Sequence, residues 1–232
     1  MPIAYVQSTS VDSGAVLSAA LAFVSNNAAG NLLAVAMRVG SSTVTIVSVV
    51  DTNLNTYTAA REQLQTTDGH KAHIWSAPNS GAGANTVTVT LSGVATLRWA
   101  IHEYSGLDTV APVDQLASAE ADGTTAPSSG ATPTTTVADE LLFGTGTASG
   151  NPTWTAGASY TLREVPSGKI ATEDRIVAAT GTYTADFSLD VANNCTAAIV
   201  TFAAPSAATG QPTMRRWGGV PFLPAGLGRR GR

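Results

Sequence analysis

The sequence predicts an all-β protein, an antiparallel β-sandwich, and three observations carry that expectation. Apolar and polar residues alternate with period two, the alternating runs are rich in Val, Ile and Thr, and clusters of Gly, Asn and Asp separate them. Long amphipathic helical patterns are scarce. Many short strands divided by such turns pack as two sheets around one core.

The clearest strand is Asn85-Thr86-Val87-Thr88-Val89-Thr90-Leu91, where Val87, Val89 and Leu91 face a core and the threonines face water. In the first half, similar runs cover 17–24, 32–39, 43–50, 57–63, 70–76 and 97–104. In the second half they cover 140–147, 160–165, 170–178, 182–189 and 196–202. Turn chemistry falls between them at Asn26-Asn27-Ala28-Ala29-Gly30, Asp68-Gly69, Asn79-Ser80-Gly81 and Pro166-Ser167-Gly168.

The halves echo each other in order. Gly30-Asn31-Leu32-Leu33-Ala34-Val35 parallels Asp139-Glu140-Leu141-Leu142-Phe143-Gly144, and Tyr57-Thr58 with Arg61-Glu62 parallels Tyr160-Thr161 with Arg163-Glu164. Trp99-Ala100-Ile101 before Tyr104 likewise parallels Ala197-Ala198-Ile199 before Phe202. The expectation is one sandwich domain over residues 1–204, with similar halves at about 16–107 and 133–204 and a crossover at 108–132. Two tandem small sandwiches are the alternative, and the second half is short for a core of its own. Residues 205–232 read as an extended basic and apolar arm.

Composition narrows the function classes. The chain has 232 residues, 44% hydrophobic and 12% charged, which excludes a disordered or collagenous body. No run reaches the roughly 20 apolar residues that span a bilayer, so no membrane partner is expected. The start, Met1-Pro2-Ile3-Ala4-Tyr5, lacks the basic and apolar regions of a secretory signal, and synthesis in a cytoplasm is expected. A single cysteine, Cys195, excludes an internal disulfide framework. The body holds all 16 acidic side chains against seven basic ones, a net −9, whereas the last 18 residues hold five arginines. That polarity points to two surfaces with two different neighbours.

Chemistry-bearing motifs are sparse. His70 and His73 fall on opposite faces of one strand, and His102-Glu103 lacks the second histidine of a metalloprotease, so no metal is expected. Asp51, Asn53 and Asn55, with Glu62 at position twelve, imitate a calcium loop, but Thr56 stands where the loop needs Gly; a turn between strands is expected. No nucleophile elbow or phosphate-binding glycine loop is present, and Asp139-Glu140 and Glu173-Asp174 diverge as strand neighbours. No catalytic residue and no cofactor is therefore expected. Among the aromatic residues, Trp75 and Trp99 read as core, while Trp154, in a loop-like stretch, reads as the exposed candidate for a sugar platform, with Tyr104 as a further member. The acidic body disfavours specific nucleic-acid binding.

The arm carries the candidate partner-binding residues: Arg215, Arg216, Trp217, Pro221, Phe222, Leu223, Arg229 and Arg230. Its large apolar side chains each lose roughly 1.5–3 kcal/mol when left in water, and Arg and Trp are the types that anchor interfaces.

Gly30-Asn31-Leu32-Leu33, the turn at 51–57, Trp99-Ala100-Ile101-His102-Glu103-Tyr104-Ser105-Gly106-Leu107-Asp108 and Ala198-Ile199-Val200-Thr201-Phe202 resemble the jelly-roll-like sandwiches of tailed-phage virion proteins and bacterial surface proteins. The resemblance covers about residues 16–204, rests on turns and core strands, and carries no functional residue across. It implies a structural or adhesive role. The expectation is a non-enzymatic virion protein, a capsid decoration or cement protein of a tailed bacteriophage, anchored through the arm to the major capsid protein or another virion protein. Homo-oligomers or lattice neighbours are expected as well. The alternatives are a carbohydrate-binding adhesin at a tail tip or cell surface, taking a glycan, and a surface glycan hydrolase.

Overall fold

The computed structural model describes residues 1–206, and within them the protein is built from antiparallel strands. The first half supplies β1 (Ala4–Ala22), β2 (Leu32–Val39), β3 (Ile46–Asp51), β4 (Thr58–Gln65), β5 (His70–Ala77) and β6 (Thr86–Ser105). The second supplies β7 (Val113–Thr124), β8 (Asp139–Ala148), β9 (Trp154–Thr155), β10 (Thr161–Glu164), β11 (Ile170–Ala178), β12 (Ser188–Leu189) and β13 (Asn193–Ala203).

The two main sheets share one connectivity. The first is ordered β1-β6-β2-β5-β4 and the second β7-β13-β8-β11-β10, so each strand of one has a counterpart in the other. The contacts between halves follow the same rule: β1 meets β10, and their counterparts β7 and β4 meet each other. Ser8 and Ser10 donate to the two oxygens of Glu164 at 2.6 and 2.7 Å. On the other side Arg61 Nε donates to Ser118 Oγ at 2.7 Å, and Gln65 Nε2 to Asp122 Oδ1 at 2.5 Å. Reciprocal contacts of this kind are those of two like units facing across a two-fold relation.

Three apolar cores lie in series. The sheets face each other through Leu32, Ala34, Ile74, Leu141, Phe143 and Phe202 with their neighbours. On the far side of the first sheet, β6 bends after Leu91, and its first part joins residues 16–22 of β1 and β3 in a three-stranded layer. That layer packs Val49, Val87 and Val89 against Leu33, Val35 and Trp99. On the far side of the second sheet lies a core of Leu142, Trp154, Phe187 and Ile199, covered by irregular chain. The stretches 125–135 and 181–189 form that cover as a ladder of backbone bonds, such as Ser129 N to Ala185 O and Thr132 N to Tyr183 O, both 2.9 Å.

Several expectations are corrected. The crossover at 108–132 contains β7, a 12-residue edge strand; its Asp, Glu, Ala, Ser and Gly content hides it from a β-propensity reading. β1 begins at Ala4, not near 17, and runs 19 residues through three bulges, two of them flanking Gly14, so the first half starts earlier than 16. The runs at 85–91 and 97–104 are one strand, β6. The run at 182–189 pairs as a strand only at β12.

Buried carboxylates knit these layers. Glu103 on β6, fully buried, accepts from Gln7 Nε2, Asn27 Nδ2, Ala28 N and Asn31 Nδ2 at 2.6–2.8 Å. Truncating it strands four donors, so Glu103→Ala is expected to lower stability by about 3 kcal/mol or more in urea unfolding. Arg98→Ala, which breaks a surface pair with Asp12, is expected to lower it by less than about 1 kcal/mol.

Candidate functional site

The turn between β3 and β4 is organised by Asp51. Its carboxylate accepts from Asn53 N (3.1 Å), Asn55 N (3.0 Å), Asn55 Nδ2 (2.7 Å), Tyr57 OH (2.9 Å) and Asn85 Nδ2 (2.9 Å). Both oxygens of the Asp51 carboxylate are thus taken up by protein donors. The turn holds Leu54 at φ 59°, a left-handed backbone rare outside glycine, with its side chain 90% exposed. Leu54 and Val110, both exposed, line an open cleft of about 540 Å³ together with Thr58, Ser76 and Asn79.

The histidines lie apart. His70 Nε2 bonds Thr147 Oγ1 of the opposite sheet at 3.0 Å, while His73 Nδ1 meets Glu62 at 3.4 Å on the other face of β5. His102 is fully buried against Phe143 and Tyr104, and burial pulls it down to about 3, so it is neutral. Among the described residues no three His, Cys, Asp or Glu side chains converge as a metal site. Cys195 is buried, and burial pushes its thiol up to about 12, leaving it protonated and unreactive at neutral pH.

The aromatic candidates serve the scaffold. Trp154 is buried, not exposed: its indole Nε1 donates to Gly168 O at 2.7 Å and its ring packs edge-on against Phe187. The physical reason is Gly146, where a Cβ would come within 2.6 Å of the Trp154 ring; the missing side chain is the slot the indole fills. Trp99 is core as expected, and Trp75 packs against the same core. Tyr104 donates to Asp174 Oδ2 at 2.7 Å, and Asp174 also holds Arg163 at 2.8 Å, whose guanidinium lies 3.7 Å over the Tyr5 ring.

Two carboxyls stand out chemically. Glu140, at the start of β8, is fully buried beside Asp114 of β7 and Thr201; burial and then Asp114 push it up to about 8. Burial likewise pushes Glu173 up to about 8, although Gly157 N donates to it at 2.8 Å. A glycosidase pair stands about 5 Å or more apart across a substrate bond. Glu140 instead lies beside Asp114 in the wall of the sandwich.

A third feature is the outer three-stranded layer. Residues 13–37, 39–50 and 72–97 contain no Asp, Glu, Lys or Arg, so this layer is uncharged apart from Asp51 at its end. Its outward rows are Ser18, Thr90 and Ser48, then Ala20, Thr88 and Val50, with Leu17, Val47 and Val94 also exposed. Nothing in the sequence reading singled out this surface; the charge gaps were visible, but only the fold brings the three together.

The arm residues Arg215, Arg216, Trp217, Pro221, Phe222, Leu223, Arg229 and Arg230 lie outside the described residues. No family model, no curated protein and no solved structure matches the chain.

The raised carboxyls give a pH signature. In the folded protein Glu140 and Glu173 hold their protons up to about 8, against 4.5 ordinarily, so their favourable contribution is full below about 4.5 and declines as pH rises toward 8. Glu140→Gln and Glu173→Gln are therefore expected to raise Tm at pH 8 and flatten its decline between about pH 5 and 8. A lower Tm for either variant at pH 8 contradicts the assignment.

Proposed function

We propose that the chain is a non-enzymatic structural protein of a virion, a capsid decoration or cement protein of a tailed phage, with the major capsid protein or another virion protein as partner. The observation that carries the reading is the use made of the interior polar groups. Glu103, Asp51, Asp174 and Glu164 accept several donors each or tie strand to strand, and Glu140 and Glu173 are held neutral in the walls. An activated nucleophile beside a base, the arrangement that acyl or glycosyl transfer needs, is not assembled among the described residues. What the scaffold offers outward is surface: an uncharged layer at one end and acidic groups elsewhere.

In this reading the sandwich caps or bridges capsid subunits. The arm at 205–232 adds a basic and apolar strap, with Arg215 and Arg216 meeting acidic groups and Trp217, Phe222 and Leu223 filling pockets. Pro221 and Pro224 lower the ordering cost of such a strap. Quantitative mass spectrometry of purified particles is expected to find the full chain at many copies per virion, and a chain lacking residues 214–232 at least tenfold fewer. Full occupancy without the arm rejects the anchoring, and absence of the full chain from particles rejects the virion assignment.

The cleft beside Leu54 favours a second reading, a glycan-binding adhesin, because Thr58 and Asn79 line it together with the exposed apolar Leu54 and Val110. A glycan array separates the two: specific binding lost in Asn79→Ala supports the adhesin, and a blank array leaves the structural role.

A further inference from the structure

Strand edges are where sheet proteins meet each other, and this protein treats its edges unequally. The β4 and β7 edges face one another across the halves and carry Arg61, Glu62, Glu120 and Asp122. The β10 edge carries Arg163 and Glu164, and Glu164 is tied to β1 through Ser8 and Ser10. The first part of β1 is further covered by the turn at Pro166–Gly168, where Ser167 Oγ donates to Asp12 at 2.6 Å. Its second part is kinked by bulges at Asp12/Gly14 and Val16/Ser18. Charge, cover and bulges are the usual means by which sheets avoid edge pairing.

β3 has one irregularity of this kind, between Ile46 and Ser48, and no charge before Asp51. It pairs with β6 on one side, and no strand among the described residues pairs with its other side. Of its residues, Ile46-Val47-Ser48-Val49-Val50-Asp51, four are β-branched, none is Gly or Pro, and the buried Asp51 is the one charge. Thr52 N donates to Thr86 O at 3.1 Å, which sets the alternation: Ser48 and Val50 turn their backbone groups toward β6, and Val49 turns its N–H and C=O outward. Val47 and Val50 are 62% and 51% exposed beside that edge.

We propose that β3 is a self-association edge, and that two copies pair antiparallel through it. The outer layer then continues as β1-β6-β3 of one copy and β3-β6-β1 of the other. The occupant is a second copy because of charge. The described body carries a net −9, so two copies repel over most of their surfaces, and they approach at least cost where neither has a charge. Residues 39–50 and 72–97 are that place, and an uncharged strand is compatible with its own reversed copy. Pairing β3 with β3 is isologous, so it closes as a two-fold dimer and leaves the cleft and the arm open to other partners.

Sedimentation equilibrium of the full chain, from micromolar concentrations to about 1 mM, tests this, because even a weak interface shows in that range. A monomer–dimer equilibrium is expected, strengthened by added salt as the repulsion between acidic bodies is screened. Val47→Lys and Val50→Lys, at side chains already in water, are each expected to weaken dimerisation at least tenfold without lowering Tm. Leu17→Lys on the β1 edge is expected to leave it unchanged. A monomer across the whole range overturns the pairing, and so does a dimer that survives both β3 lysines or is lost only with Leu17→Lys. Particle occupancy is counted separately, so a monomer that still decorates virions rejects this inference alone.

Discussion

β2 lies between β5 and β6 with all eight of its residues buried, so a polar group on either face of the first sheet is costly unless the protein supplies its partner. The two faces differ in how far they supply one, and both ring nitrogens of His102 have none. Toward the outer layer, Glu103 of β6 gathers four donors from β1 and the loop before β2, fixing the chain entry to the sheet. Toward the second sheet, its neighbour His102 remains neutral among aromatic rings, and Tyr104 reaches across to Asp174. The Asp174–Arg163 pair then brings β10 over Tyr5 of β1. Three consecutive odd and even positions of one strand thus connect three layers, which is possible only because a strand shows alternate residues to opposite sides.

How far the sequence disclosed this depends on which residues face two neighbours at once. The Thr-Val alternation of 86–91 was legible because one face is core and the other is half exposed. The paired motifs at Leu32 and Leu141 and at Tyr104 and Phe202 were legible because both halves use one connectivity: Leu32 lies opposite Tyr104, and Leu141 opposite Phe202. β7 was not legible, since Asp122, Glu120 and Ser118 reflect its contacts with β4, a partner more than 50 residues away. Trp154 was misplaced for a similar reason. Its slot is made by Gly146, and an alternating Gly144-Thr145-Gly146 in an otherwise apolar strand was the available signal that something large lies across it.

Of the candidate sites, the turn between strands at Asp51 was located by its Asp and Asn spacing, and the structure adds how it is held. A calcium loop presents acceptors to a cation, whereas here one carboxylate gathers five donors and so makes a rigid turn. The rigidity is what keeps Leu54 exposed on a left-handed backbone, since a loose turn would relax both. The same residue pattern therefore yields a shaped cleft edge in place of an ion site.

The like connectivity of the halves makes their differences informative. Each half has one sheet face in the shared interface and must cover the other. The second half uses an irregular ribbon that includes Asp186 and Asp190, with Trp154 and Phe187 beneath it. The first half uses extensions of β1 and β6 with β3, a regular layer without surface charge. For burial alone either cover suffices, as each closes over a continuous apolar core. A regular, uncharged cover with an unpaired strand edge adds something burial does not require, since the outward N–H and C=O of Val49 have no strand partner among the described residues. Under the proposed self-association, the asymmetry between two otherwise matching halves puts that contact on the first half, in the layer without charged side chains.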